Sequence, residues 1–136
     1  EDKVQLPRIY ITWITPAWFT PGDAELDVLG SILSSGKNSR LYQRLVYELQ
    51  IAQDVQAYQA SSKLASQFQV VATARAGHNL EELRKVIQVE IDKIKNVPPT
   101  DRELQRVVNK NEAQMLDQLE KPGGFRGKGN QLNQYF

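Results

Sequence analysis

The side chains that could do chemistry are few. There is one histidine, His78, and there is no cysteine. A lone histidine cannot supply H-x-x-E-H, H-E-x-x-H or a three-histidine cage, so the chain has no zinc-catalytic motif of its own. The lack of thiols removes disulfides, thiolate nucleophiles and Cys-based zinc sites. His78 could act as a general base or ligand, but the window around it supplies no orienting carboxylate at a fixed spacing. It reads as an exposed residue just before a helix. The run Gly123-Gly124-Phe125-Arg126-Gly127-Lys128-Gly129 invites comparison with a phosphate loop. It fails, because Pro122 stands where the outer glycine belongs, Gly129 stands where Ser or Thr belongs, and a helix precedes it. It reads as a mildly basic connection.

Lys37, Arg40 and Arg44 form a basic cluster with Tyr42 and Tyr47 interleaved. Phosphate contacts and base stacking use this mixture. Glu48 lies four residues after Arg44, however, and can pair with it. Lys plus Arg number 17 against 16 Asp plus Glu, a net charge of +1, which provides no global field for a polyanion. Nucleic acid is therefore not expected as a partner. The carboxylates Glu25, Asp27, Glu81 and Glu82 sit near helix starts, where they favour the macrodipole without any catalytic role.

The length of 136 residues, 40% of them hydrophobic, suits one domain with a real core. No run approaches the roughly 18 apolar residues of a membrane span. The chain opens Glu1-Asp2-Lys3, without Met or an apolar leader, and both ends read as cuts within a longer protein.

Residues Arg8 to Ile14 are β-branched and aromatic between Pro7 and Pro16, a strand signal that puts Ile9, Ile11 and Trp13 on one face. Thr20-Pro21-Gly22-Asp23 reads as a helix start, with Thr20 as cap and Asp23 as its box partner. That helix runs to about Leu33 and stops at Ser34-Ser35-Gly36. Asn38 or Ser39 caps a second helix with Leu41, Leu45 and Leu49 on its core stripe. Ala52 to Ala60 and Gln67 to Arg75 read as two strands joined through Ser61-Ser62-Lys63. Asn79 caps a long helix, with Glu82 in the box and Leu80, Leu83, Ile87, Ile91 and Ile94 as its apolar stripe. Pro98-Pro99 ends it. Thr100, boxed by Glu103, starts the last helix, with Leu104, Val108, Met115 and Leu119 as its stripe. Pro122 ends this helix, and residues 121–136 read as a Gly-rich tail or the start of a further helix. The order β-α-α-β-β-α-α plus tail predicts an α+β, two-layer α/β sandwich, its sheet mainly antiparallel with helices on one face.

Two longer strings carry a resemblance. One runs Pro16-Ala17-Trp18-Phe19-Thr20-Pro21-Gly22-Asp23-Ala24-Glu25-Leu26-Asp27 and leads into Ser35-Gly36-Lys37-Asn38-Ser39-Arg40-Leu41-Tyr42. The other is Leu45-Val46-Tyr47-Glu48-Leu49-Gln50-Ile51-Ala52-Gln53-Asp54-Val55. With Gly123-Gly124-Phe125 and Gln131 to Tyr135, they resemble the non-catalytic, C-terminal-like domain of pitrilysin/insulinase family zinc metallopeptidases of bacterial type. These are the inverzincins, relatives of mitochondrial processing peptidase. The resemblance extends from about Leu6 to Phe136, and Ser39-Arg40-Leu41-Tyr42 after a glycine is its most specific part. It implies a domain that helps enclose a substrate chamber while a separate H-x-x-E-H domain of the same protein, or of a partner subunit, holds zinc and cleaves peptide. This chain itself is then expected to be inactive and to hold no cofactor.

Many relatives carry an Arg and a Tyr seven apart in a pattern like Leu-Arg-x-x-x-x-x-Ala-Tyr-x-Val, which contacts substrate. Aligning Leu45, Ala52 and Val55 puts Val46 at the Arg position and Gln53 at the Tyr position. Val46 cannot donate to an oxyanion, and Gln53 offers a neutral hydrogen bond at most. Arg40 and Tyr47 also lie seven apart, but that register misaligns the neighbouring Ala and Val. The resemblance therefore implies no catalytic residue here. Gln53, Arg40, Arg44 and Tyr47 are left as candidate contacts with peptide substrate or a partner. The alternative is a stand-alone α+β protein-interaction module. Zero cysteine fits a periplasmic or secreted location slightly better than a cytoplasmic one.

Overall fold

The computed structural model describes residues 6–120. The sequence-predicted tail 121–136 lies outside them, as does the side chain of Leu119. The chain falls into two units, residues 1–99 and residues 100–136.

The first unit is built on three strands: β1 (Arg8–Thr15), β2 (Ala52–Ala60) and β3 (Ser66–Ala74). Their order is β1-β3-β2, and both pairings are antiparallel. Side chains alternate across the pleat, so Ile9, Ile11 and Trp13 share a face with Phe68, Val70, Ala72, Val55 and Ala57. Helices α1 (Asp23–Ser34) and α2 (Leu80–Asn96) and a π-helical segment (Tyr42–Glu48), with Leu41 just before it, supply Leu33, Leu41, Leu45, Val46, Leu83, Ile87 and Ile91 to the same core. The expected α+β layer arrangement, with an antiparallel sheet and helices, is what the chain adopts.

Three local differences from expectation have physical causes. Helix α1 starts at Asp23, after Gly22 in the left-handed region (φ 99°), rather than at Pro21. Glu25 accepts from the Gly22 N–H at 3.0 Å, and Thr20 Oγ1 instead donates back to the Ala17 carbonyl. Asp23 is not a box partner, because its carboxylate turns inward.

The second helix is wound as a π-helix. The Leu49 N–H donates to the Arg44 carbonyl, five residues back, at 3.1 Å. The wider turn buries Leu45 and Val46 side by side and rotates Leu49 out to partial exposure. The predicted Leu41–Leu45–Leu49 stripe therefore loses its third member.

Ser34 ends α1, and Gly36 follows at φ 80°, the left-handed stop anticipated there. Helix α2 begins as expected: Asn79 Oδ1 accepts from the Glu82 N–H at 2.9 Å, and the Glu82 carboxylate accepts from the Asn79 N–H at 3.3 Å.

The second unit's described element is α3 (Asp101–Glu120). Thr100 and Glu103 cap it reciprocally, through Glu103 N–H to Thr100 Oγ1 at 3.3 Å and Thr100 N–H to Glu103 Oε2 at 2.9 Å. Its expected stripe of Leu104, Val108 and Met115 is exposed rather than buried.

Candidate functional site

The four candidate contacts fall on two elements. Arg40 lies in the turn entering the π-helix, half-buried and engaged with the rest of the chain. Arg44 and Tyr47 lie on the π-helix itself. Arg44 Nη1 is 2.7 Å from Glu48 Oε2, the ion pair expected from their spacing, and both side chains face solvent. Arg44 also borders a shallow recess with Lys85, Val86 and Val89 of α2. The Tyr47 side chain is 70% exposed.

Gln53 sits on β2 at a bulge. Ala52 pairs with Ala74 and Asp54 with Thr73, so Gln53 is the extra residue between them. A bulge re-aims its side chain, and Gln53 is exposed. The chain enters this strand through Gln50, which adopts a left-handed backbone at φ 53°. Val46, which the resemblance set at an expected Arg position, is buried in the core. That position points into packed hydrocarbon, where an arginine would need a partner to offset its desolvation.

Next to the bulge, a polar chain crosses all three strands on the face away from the helices. Arg8 Nε donates to Thr73 Oγ1 at 3.0 Å, and Thr73 Oγ1 donates to Asp54 Oδ1 at 3.0 Å. Further along the same face, Tyr58 Oη donates to Gln69 Oε1 at 2.7 Å, and Gln69 Nε2 donates to Gln67 Oε1 at 2.9 Å. The Gln-rich strand faces are thus a hydrogen-bonded surface. Cross-strand alignment could be read from the sequence only once the register was known.

At the other end of the sheet, Asp23 is a buried hub. Its carboxylate accepts from Ser61 Oγ at 2.6 Å, Gln59 Nε2 at 3.0 Å and the Phe19 N–H at 3.2 Å. The Ser61 hydroxyl, then the Gln59 amide, hold this carboxyl below the usual carboxylate range, against the opposing effect of burial. The hub ties the start of α1 to the end of β2. Sequence reasoning missed it because Gln59 and Ser61 lie 36 and 38 residues from Asp23.

His78 Nδ1 lies 3.2 Å from Glu82 Oε2, four residues on. A carboxylate does therefore orient the ring, contrary to expectation. The same oxygen accepts from the Asn79 N–H, so the pair belongs to the helix cap. Glu81 is held below its usual range by bidentate hydrogen bonds from Arg84 at 3.0 and 3.1 Å. Among the described residues, no three His, Cys, Asp or Glu side chains come together as a metal cage. No described helix is long and apolar enough to cross a membrane.

The zinc protease PqqE of Helicobacter pylori is 25% identical over 127 residues, covering 93% of this chain and 29% of that protein. A Helicobacter pylori protease structure superposes with a TM-score of 0.82 at 26% identity, over 89% of this chain and 29% of that one. An inactive peptidase domain from Bordetella parapertussis superposes with a TM-score of 0.76 at 19% identity, over 84% of this chain and 60% of that one. The chain spans under a third of the length of the curated relative. The family described as the peptidase M16 inactive domain matches residues 1–111, and the chain belongs to that family.

Proposed function

We propose that these 136 residues are one part of a longer, multidomain zinc metalloendopeptidase, and that they help enclose its substrate chamber. Peptide-bond cleavage would take place on zinc in a separate H-x-x-E-H domain of the same protein or of a partner subunit. The observation that carries the reading is the match of residues 1–111 to an inactive peptidase domain. The described side chains support it, since they include capped helices, a packed core and a hydrogen-bonded open sheet face. Gln53 on its bulge and Tyr47 on the π-helix are the side chains we assign to peptide contact. Both are exposed, and neither is committed to the core.

The test uses the parent protein and the 136-residue chain side by side. Zinc content is measured by atomic absorption and cleavage with a quenched fluorescent peptide. The expected result is about one zinc and peptidase activity in the parent, neither in the 136-residue chain, and zinc retained without activity when residues 1–136 are deleted. Full activity after that deletion, or stoichiometric zinc in the isolated chain, would overturn the reading.

A further inference from the structure

The recess bordered by Arg44, Lys85, Val86 and Val89 has a volume of about 140 Å³, and its lining is hydrocarbon almost throughout. Helical spacing explains the lining. Lys85 and Val89 lie four residues apart on α2, with Val86 three residues before Val89, so the three share one flank of the helix. Arg44 meets them from the π-helical segment. Arg and Lys cover apolar surface with their stems and keep their charged heads in water. The floor is therefore made of valine methyl groups and two aliphatic stems, and the rim of a guanidinium and an ammonium. Val89 is 51% exposed, so the floor lies open to solvent.

The carboxylates of these two elements are engaged elsewhere. Glu48 accepts from Arg44 Nη1 at 2.7 Å, an exposed pair that uses one of five guanidinium N–H donors. Glu81 is held by both bonds from Arg84. Glu82 turns to the Asn79 N–H and to His78. Glu90 pairs with Lys93, and Asp92 with Lys95. Among the described residues, Lys85 makes no hydrogen bond or ion pair. Its field adds to the Arg84 hydrogen bonds that hold the Glu81 carboxyl below the usual range. Lys85 is thus a cation at the rim without a partner of its own.

An apolar floor beneath two cationic heads selects a group that is apolar at one end and anionic at the other. Size narrows the choice. An apolar cavity of about 150 Å³ holds one benzene molecule, so this recess has room for one branched aliphatic side chain but not for a long acyl chain. An Asp or Glu side chain brings the charge without an apolar body. The last residue of a polypeptide brings both. Its side chain and its free carboxylate branch from the same carbon, so one can fill the floor while the other meets the rim.

We infer that this recess binds the C-terminal residue of a peptide chain, an aliphatic residue such as leucine, with Lys85 and Arg44 receiving its carboxylate. Charge complementarity at the rim and the size of the floor carry the assignment. It is separate from the contacts proposed above for Gln53 and Tyr47, and it does not depend on peptidase activity in the parent protein.

A methyl-detected NMR titration of the 136-residue chain tests it. The probes are an acetylated tetrapeptide ending in leucine with a free carboxylate, the same peptide as its C-terminal amide, a free-acid version ending in serine, and octanoate. The leucine-ended acid is expected to shift the Val86 and Val89 methyl signals saturably. The amide and the serine-ended peptide are expected to bind at least about fivefold more weakly. Lys85→Gln and Arg44→Gln should each weaken the leucine-ended acid by about fivefold, the effect of one charge pair at contact in water, while leaving the amide unchanged. Both side chains are exposed, so neither substitution should alter the melting temperature appreciably. Equal binding of acid and amide, insensitivity to both substitutions, or shifts confined to other methyl groups would overturn the inference. Octanoate binding as tightly as the peptide would overturn the assignment to a peptide end. The parent protein is expected to bind the leucine-ended acid with the same affinity, and failure to bind there would count against the site.

Discussion

Ser34 Oγ lies 2.7 Å from the Ala57 amide nitrogen and 3.0 Å from its carbonyl oxygen, so one hydroxyl serves both outward backbone groups of a strand residue. Gly30, one turn earlier, allows the approach. A Cβ there would sit 2.9 Å from the Ala57 carbonyl oxygen and 3.2 Å from Tyr58 Cα. Ser34→Ala is expected to destabilise the chain by about 1–3 kcal/mol, because the Ala57 N–H loses its acceptor. Gly30→Ala is expected to cost about 1–3 kcal/mol through overpacking against immovable backbone. Urea denaturation followed by circular dichroism measures both. A neutral Gly30→Ala would mean that α1 can back away from β2.

The Asp23 hub gives a pH dependence with a definite sign. Its folded carboxyl is held below the unfolded value, so its contribution is full above the unfolded carboxylate range and is lost as pH falls through the depressed folded value. Asp23→Asn is therefore expected to melt at a lower temperature than the natural chain at neutral pH. The gap should close progressively in acid. Paired thermal melts across the acid range check this, and a gap independent of pH would contradict the assignment.

The π-winding predicts an asymmetry between two leucines of the same helix. Leu45→Ala should cost about 2–5 kcal/mol, as for a core leucine with no exposed surface. Leu49→Ala should cost less than about 1 kcal/mol, although regular α spacing would make the two equivalent. Similar losses at both positions in chemical denaturation would argue for an ordinary α-helix between Tyr42 and Glu48.

Asn79 offers the simplest check on local structure. Asn79→Ala removes the acceptor for the Glu82 N–H and should cost about 1 kcal/mol, read from the urea midpoint.

The elements that could be read in the sequence were those with local signals. The caps at Asn79 and Thr100, the alternation in β1 and β3 and the glycine stop at Gly36 each depend on residues within four positions of one another. The Arg44–Glu48 pair follows the same rule. What escaped was non-local or departed from regular period. The partners of Asp23 arrive from the far end of β2. The side of the sheet that α1 closes depends on a tertiary approach between Gly30 and Ala57. The outward turn of Leu49 comes from one wider helical turn, which a four-residue repeat of leucines conceals. The exposed stripe of α3 shows the converse limit: periodicity identified the helix but not what its apolar side chains meet. At the candidate site, the sequence placed Gln53 and Tyr47 at positions with no catalytic chemistry. It did not show that one stands on a bulge and the other on a π-turn.

The two edges of the sheet are not alike. Because Ser34 and Gly30 hold α1 against β2, a strand added beside Ala57 would have to displace a helix. Among the described residues, no helix side chain takes the outer backbone groups of β1 in this way. A tag, linker or grafted strand placed near β1 would meet open backbone groups, whereas one placed beside Ala57 would find them occupied. Engineering of this domain is therefore one-sided, and a fusion at its N-terminal end should be kept clear of the first strand.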